Sequence, residues 1–375
     1  MKDRLISVRN YIAQKKYKWI FKPIFFKFDP ESIHDKMSAF LRFLGKFSIT
    51  RKIIYFCFGY SNRILEQNIL GIHFKNPVGL SAGFDKNATL IDIVPSLGFG
   101  FTEVGSITGE PCAGNPKPRL WRLKKSKSLA IYYGLMNDGC ETISKRLRKK
   151  LKGRKFDIPV GISIAKTNCQ ETADTAVAIL DYLKTYKAFT DIGDYITINI
   201  SCPNAFGGQP FTDKSKLEAL FLEIMSVPKT KPIFLKISPD LSKKEIDEII
   251  NVASKFSIDG FICTNLTKNR NNKNILDKIV PEKGGISGKA LGGLSDELIR
   301  YVYKKTEGKL VIIGVGGVFG AKDAYKKIKA GATLIELITG MIFEGPQLIS
   351  DINLGLVKLL KADGYKNISE AVGKE

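Results

Sequence analysis

Residues 233–265 read IFLKISPDLSKKEIDEIINVASKFSIDGFICTN. Two short, mostly apolar runs, 233–238 (IFLKIS) and 260–265 (GFICTN), flank a charged stretch of helical character. Continuous apolar runs of this length suit strands buried on both faces, as in a parallel sheet. The same alternation extends in both directions. Further β-branched, apolar runs stand at 78–84 (VGLSAGF), 101–108 (FTEVGSIT), 160–165 (VGISIA), 195–201 (YITINIS), 311–317 (VIIGVGG) and 334–340 (LIELITG). Strand–helix alternation repeated eight times predicts an α/β fold of the (β/α)8 TIM-barrel type, with a doubly wound sheet as the alternative. The barrel is expected over residues 66–375, behind a small N-terminal helical extension over 1–65.

The 375-residue length suits one large barrel unit with a small appendage. A hydrophobic content of 44% is enough for a sizeable core and excludes a disordered or fibrous chain. The net charge is +22, from 59 Lys and Arg against 37 Asp and Glu. That balance favours anionic partners: nucleic acid, an anionic membrane surface or a small acidic substrate. Lysines recur from Lys2 to Lys374, and no zinc-finger spacing or aromatic–basic signature occurs, so no nucleic acid partner is expected. The cysteines at 57, 112, 140, 169, 202 and 263 form no CxxC pair, which predicts a reducing compartment without disulfides or a metal site. The only histidines, His34 and His73, argue against His-based metal binding and Ser-His-Asp chemistry.

No apolar run reaches the roughly 18 residues that would span a bilayer. Residues 17–28 (YKWIFKPIFFKF) nevertheless intersperse lysines among bulky apolar side chains. Asp29 is then a candidate N-cap, with Pro30 at the first helical position. Phe28 and Ile33 have the spacing of a hydrophobic staple. Ile33, Met37, Phe40, Leu41 and Leu44 follow at helical intervals. The segment reads as one or two short amphipathic helices with a basic face. Periodicity favours a helical cap on the main unit, and the sharper reading is a helix pair lying on a membrane surface. No secretory signal is recognisable, because lysines break the apolar stretch.

In a barrel the active site lies at the C-terminal ends of the strands. The first run ends in Ala82 and Gly83, and Asp85, Lys86 and Asn87 follow soon after. The fourth leads into Asn199-Ile200-Ser201-Cys202-Pro203-Asn204, the fifth holds Lys236 and the sixth holds Thr264 and Asn265. Lys236 inside an apolar strand needs a partner, either an anionic ligand or an ion pair within the barrel. Gly314, Gly316 and Gly317 on the seventh run, with Thr339 and Gly340 on the eighth, lie where barrels often bind phosphate. A third glycine-rich loop spans 284–288 (GGISG). Cys202 is the candidate reactive group, since a thiol tuned toward neutrality can act as a base. Its bland alternative, a buried structural cysteine, is the reading taken for the other five.

At these residues the chain resembles the dihydroorotate dehydrogenase family over nearly its whole length. The matching segments are NPVGLSAGFDKN (76–87), GFGFTEVGSIT (98–108), GNPKPRLWRL (114–123), INISCPN (198–204), LKISPDLS (235–242), IDGFICTN (258–265), GGISGKAL (284–291), IIGVGGV (312–318) and ITGMIFEGP (338–346). The resemblance implies FMN as cofactor and oxidation of dihydroorotate to orotate in pyrimidine synthesis. It implies that Ala82, Gly83, Ser106 and Thr264 contact the flavin, and that Lys86 contacts flavin and substrate. Asn199, Asn204 and Asn265 would hold the substrate, Asn199 also touching the flavin. Lys236 would sit beside the flavin ring. Gly288, Gly316, Gly317, Thr339 and Gly340 would cradle the phosphate and ribityl chain. Cys202 would take the C5 proton while hydride leaves C6.

The segments 28–45 and 114–123 resemble the quinone-using, membrane-associated class, which implies a quinone acceptor and peripheral attachment to the cytoplasmic side of a bacterial or equivalent membrane. That class usually carries serine as the base. Cys202 and NAFGGQPF (204–211) resemble the soluble class instead, so NAD or fumarate remains the alternative acceptor. Ile131 stands where the family has a substrate-binding asparagine, which weakens orotate binding or points to another dihydropyrimidine. Ser163 and Ile338 stand where the membrane class has asparagine and tyrosine.

Overall fold

The computed structural model describes residues 2–375. Eight parallel strands close into a barrel: β1 (Val78–Leu80), β2 (Phe101–Ile107), β3 (Val160–Ile164), β4 (Tyr195–Asn199), β5 (Ile233–Ile237), β6 (Gly260–Cys263), β7 (Val311–Val315) and β8 (Leu334–Leu337). Each strand pairs with the next in sequence, and β8 returns to β1 through Ile335↔Val78 and Leu337↔Leu80. All eight apolar runs have become strands. The sheet has no edge, so the doubly wound alternative is excluded.

Strand parity sorts the barrel interior into layers. Phe101, Tyr195, Phe234, Ile262, Ile313 and Leu334 pack together toward the N-terminal end of the barrel, with Phe74 of the preceding hairpin against them. The fit is close: a Cβ on Gly161 would lie 2.1 Å from the Tyr195 ring, and one on Gly79 would lie 2.3 Å from Phe101. Glycine on one strand thus makes room for an aromatic ring on its neighbour. Two residues further along four of these strands stand Glu103, Thr197, Lys236 and Glu336, all buried. Above them the strand ends open into a cavity.

Amphipathic helices cover the outside. The Lys243–Lys255 helix illustrates why: Ser242 and Glu245 form a reciprocal capping box, and Ile246, Ile249, Ile250 and Ala253 bury one face. A small antiparallel sheet of Leu120–Leu123, Ser128–Ile131 and Gly285–Gly288 lies over the C-terminal end of the barrel.

The N-terminal segment folds as α1 (Lys2–Lys16), a π-helical turn (Tyr17–Phe21), α2 (Lys22–Phe25), α3 (Pro30–Gly45) and α4 (Ser48–Phe58). That is more helix than the one or two expected. Asp29 caps α3 as foreseen, its carboxylate accepting from the Ser32 amide at 2.8 Å. Phe28 stays 58% exposed, so the expected staple is not a buried contact. The segment is tied to the barrel by polar contacts. Asn10 donates to Asp351 at 2.8 Å and Arg9 to Ser350 at 2.8 Å. Lys18 and Lys127 both pair with Glu344. The helical cap therefore exists as a packed element. Among the described residues no helix is long and apolar enough to cross a membrane.

Candidate active site

A cavity of about 630 Å³ runs from the C-terminal ends of the strands to the N-terminal helices. Its floor is polar and its throat is apolar. Ile33, Met37, Phe40, Leu41 and Leu44 of α3, with Ile54 and Phe58 of α4, line the throat. The helical periodicity noted in the sequence therefore faces a cavity rather than a closed core.

Hydrogen bonds between strand ends fix the floor. Asn199 at the end of β4 donates to the Ser106 hydroxyl at 2.8 Å, and Ser106 lies 2.7 Å from the Ser163 hydroxyl of β3. Asn265 donates to the Asn199 side-chain oxygen Oδ1 at 3.1 Å and to the Ser201 hydroxyl at 3.0 Å. Ser201 in turn donates to the Lys236 carbonyl at 2.7 Å. Strands β2 to β6 are thus cross-linked at one level, which holds the amides in place before any ligand arrives. Asn204 donates to the Ile131 carbonyl at 2.8 Å, and Asn115 donates to the Asn204 carbonyl at 3.0 Å. The side chain of Ile131 itself offers no hydrogen bond to the cavity.

Lys86 projects into the junction between floor and throat. Its ammonium lies 4.0 Å from the centre of the Tyr133 ring and 3.5 Å from His34 Nε2. Burial pulls its pKa down to about 8, against the opposing pull of Asp35 and Glu31. Burial and then the Lys86 charge push His34 down to about 3, so this imidazole is neutral across the ordinary pH range. His34 and Tyr133 were not anticipated as site residues. The one signal for His34 was its place inside the amphipathic run 28–45, which does not reveal what the ring touches.

Of the two partners the sequence allowed for Lys236, the structure shows the ion pair within the barrel. It lines the cavity, and its ammonium lies 3.6 Å from Glu103 Oε1. Glu103 Oε2 also accepts from Thr197 at 2.6 Å.

Glycines shape the far wall. Gly288, Gly316 and Gly317 have φ of 85°, 115° and 74°, in the left-handed region. A Cβ on Gly317 would lie 2.3 Å from the Gly292 Cα, and one on Gly340 would lie 2.0 Å from the Val318 carbonyl oxygen. Ser287 and Thr339 hydroxyls meet at 2.7 Å beside them. The Gly292–Lys305 helix starts next to Gly317 and has no side-chain cap on its first amides.

Cys202 faces the cavity from the loop after β4. Burial pushes its thiol up, opposed by the Asn204 amide and by the Lys166 and Lys268 charges. Burial thus shifts the thiol in the direction opposite to the expected tuning. Lys166, missed in the sequence, anchors the following loop by donating to the Phe206 carbonyl at 2.6 Å.

The fifteen residues to which the resemblance assigns a role all line this one cavity: Ala82, Gly83, Lys86, Ser106, Asn199, Cys202, Asn204, Lys236, Thr264, Asn265, Gly288, Gly316, Gly317, Thr339 and Gly340; Asp85, Asn87, Ser201 and Gly314, also noted at the strand ends, do not line it. The other five cysteines are free, with Cys112, Cys140 and Cys263 buried.

Comparison with known proteins adds an independent line. The chain matches the family described as "Dihydroorotate dehydrogenase" over residues 64–360. A "Dihydroorotate dehydrogenase (quinone)" of Sulfurimonas denitrificans is 41% identical over 354 residues, covering 94% of this chain and 97% of the relative. One of the same description from Trichodesmium erythraeum is 38% identical, covering 95% and 98%. Among solved structures, ligand-free DHODH from Eimeria tenella superposes with a TM-score of 0.82 at 32% identity, covering 92% of this chain and 99% of that one. The Eimeria tenella complex with ferulenol gives 0.81 at 31% identity, covering 92% and 95%.

Proposed function

Because this chain belongs to the dihydroorotate dehydrogenase family, we propose that it oxidises dihydroorotate to orotate in pyrimidine synthesis, with FMN as cofactor and a quinone as electron acceptor. The observation that carries this reading is the single cavity in which a polar floor at the strand ends continues into an apolar throat between helices. One end suits a small polar anion and the other suits an apolar acceptor.

The residues fit FMN. The left-handed glycines 288, 316 and 317 and the uncapped start of the Gly292–Lys305 helix make a wall suited to a phosphate, where any side chain at Gly317 or Gly340 would collide with backbone. Ala82, Gly83, Ser106, Asn199 and Thr264 would contact the isoalloxazine, and Thr339 and Gly340 would complete the cradle. When bound, FMN supplies acceptance of hydride from C6 of the substrate and onward delivery of electrons. Lys236, which lines the cavity, would bring positive charge to the ring.

The chain's own chemistry is positioning and proton transfer. Asn199, Asn204 and Asn265 would hold the polar edge of the substrate. The Lys86 ammonium faces its carboxylate. Cys202, as thiolate, removes the C5 proton. The apolar throat admits the quinone from the membrane side. Large apolar side chains concentrate on the outer surface of the same segment, with Trp19 74% and Phe56 79% exposed among many lysines. In this reading residues 1–65 form a membrane-facing segment, residues 66–375 form the FMN-binding barrel, and the protein sits peripherally on the cytoplasmic face.

Anaerobic mixing of the yellow protein with dihydroorotate tests the reading. Bleaching of the flavin absorbance, reversed by a soluble quinone, is expected. Bound flavin that stays oxidised under these conditions rules out dihydroorotate as the substrate.

A further inference from the structure

Directly beneath the cavity floor lie two buried carboxyls that the reaction does not use, beside Lys236. Glu103 on β2, Lys236 on β5 and Glu336 on β8 face one another inside the barrel, and both carboxyl groups are fully buried, at 0% exposure. Their surroundings complete the layer: Thr197 and Tyr195 from β4, and Ser81 just beyond β1. The bonding is uneven. Glu103 Oε2 accepts from the Thr197 hydroxyl, while Oε1 faces the Lys236 ammonium at 3.6 Å without a hydrogen bond. Neither oxygen of Glu336 has a hydrogen-bond partner of acceptable geometry, although Ser81 is nearby. The Tyr195 hydroxyl is likewise unpartnered.

Two carboxylates and one ammonium would leave an uncompensated negative charge in a closed, mostly apolar shell. Such a charge is more costly than retaining a proton. We propose that Glu103, Glu336 and Lys236 form a proton-sharing layer, in which Lys236 pairs with one carboxylate, the other carboxyl stays protonated, and the retained proton sets the charge facing the flavin ring. With that proton the layer is neutral, and without it the layer carries one negative charge. Lys236 belongs to both the layer and the cavity, so the change reaches the cofactor through it. Burial pushes both carboxyls up, and the Glu103 charge pushes Glu336 further, against the pull of Lys236. Glu336 is thus a positioning residue, acting on the flavin through its neighbours.

The inference rests on the reading that FMN occupies the cavity, which the visible flavin spectrum checks separately. The test is the midpoint potential of bound FMN against pH, for wild type and Glu336→Gln. The two curves should coincide at acidic pH. At alkaline pH the wild-type potential should fall below that of the variant, because only the wild type can lose the proton. Parallel curves overturn the proposal. Infrared spectroscopy of the wild-type protein needs no variant and no flavin. A protonated-carboxyl stretch that disappears on raising the pH is expected, and its absence at every pH also overturns the proposal.

Discussion

Arg119, the residue before the barrel-top sheet strand Leu120–Leu123, grips Glu31 of α3 through a buried fork, with Nη2 2.9 Å and Nε 3.1 Å from Oε1. Both residues are under a tenth exposed, at 6% and 4%. A third bond, from Arg119 Nη1 to the Ala113 carbonyl at 2.8 Å, fixes the guanidinium to the barrel side. This pair couples the helices that line the throat to the strands that frame the floor. Removing one partner strands the other as a buried charge, a loss of about 3–5 kcal/mol. Glu31→Ala should therefore lower the denaturant midpoint and slow reoxidation by quinone more than reduction by dihydroorotate. Equal slowing of both half-reactions would mean that the pair does not specifically hold the throat.

Lys86 gives the substrate site a pH dependence. Its pKa is lowered to about 8, so the ammonium is present below that pH and lost above it. Orotate affinity should therefore weaken as pH rises through about 8, and Lys86→Met should bind weakly with a flat profile. A wild-type profile that stays flat across this range disconnects Lys86 from the anion.

For Cys202 the sign is opposite. Its thiol is pushed up by burial, and the active base is the thiolate, so the rate of flavin reduction should climb with pH into the alkaline range. Cys202→Ala should slow that step by roughly 10²–10⁴-fold, the usual worth of a general base, with FMN retained. Stopped-flow reduction measures both. Full-speed reduction in the alanine variant would remove Cys202 from the mechanism.

Ile131 lines the cavity without offering a polar group, while its carbonyl holds Asn204. An unmade hydrogen bond in a buried site costs about 1–3 kcal/mol. Ile131→Asn should lower the dihydroorotate KM on the order of ten-fold, at about 1.4 kcal/mol per factor of ten. A raised KM would indicate a site matched by Ile131 to a different dihydropyrimidine.

The exposed aromatic residues of the N-terminal segment predict surface binding. Burying one such side chain is worth about 1.5–3 kcal/mol. The double variant Trp19→Ser, Phe56→Ser should co-sediment much less with anionic vesicles, with reduction by dihydroorotate unchanged. Undiminished sedimentation would place membrane contact elsewhere.

Much of the barrel was legible because buried parallel strands are apolar throughout, a purely local signal. The run 311–317 became a strand over Val311–Val315, with Gly316 and Gly317 turning out of the ladder into left-handed backbone. Boundaries were less legible than existence, since a hydrogen-bond ladder ends where its neighbour ends. The helices of residues 2–58 were under-read, because lysines among aromatic residues blur the helical period. The addition of residues 285–288 to the 120–131 hairpin left no local trace, since those partners lie far apart in the chain. Glu103 and Glu336 stood in plain view within apolar runs, yet only strand parity inside a closed barrel turns them toward Lys236.

By itself the sequence determined the eight apolar runs alternating with helices and the set of polar residues at their ends, because each follows from local pattern, while closure into a barrel rather than a doubly wound sheet came from the fold. Tertiary structure alone decided that the α3 apolar face lines a cavity, that burial moves Lys86 and Cys202 away from their ordinary ionisation, and that two buried carboxyls lie inside the barrel with one lysine, which pairs with Glu103. Those properties depend on dielectric surroundings and on distances between residues far apart in the chain, which only the folded barrel defines.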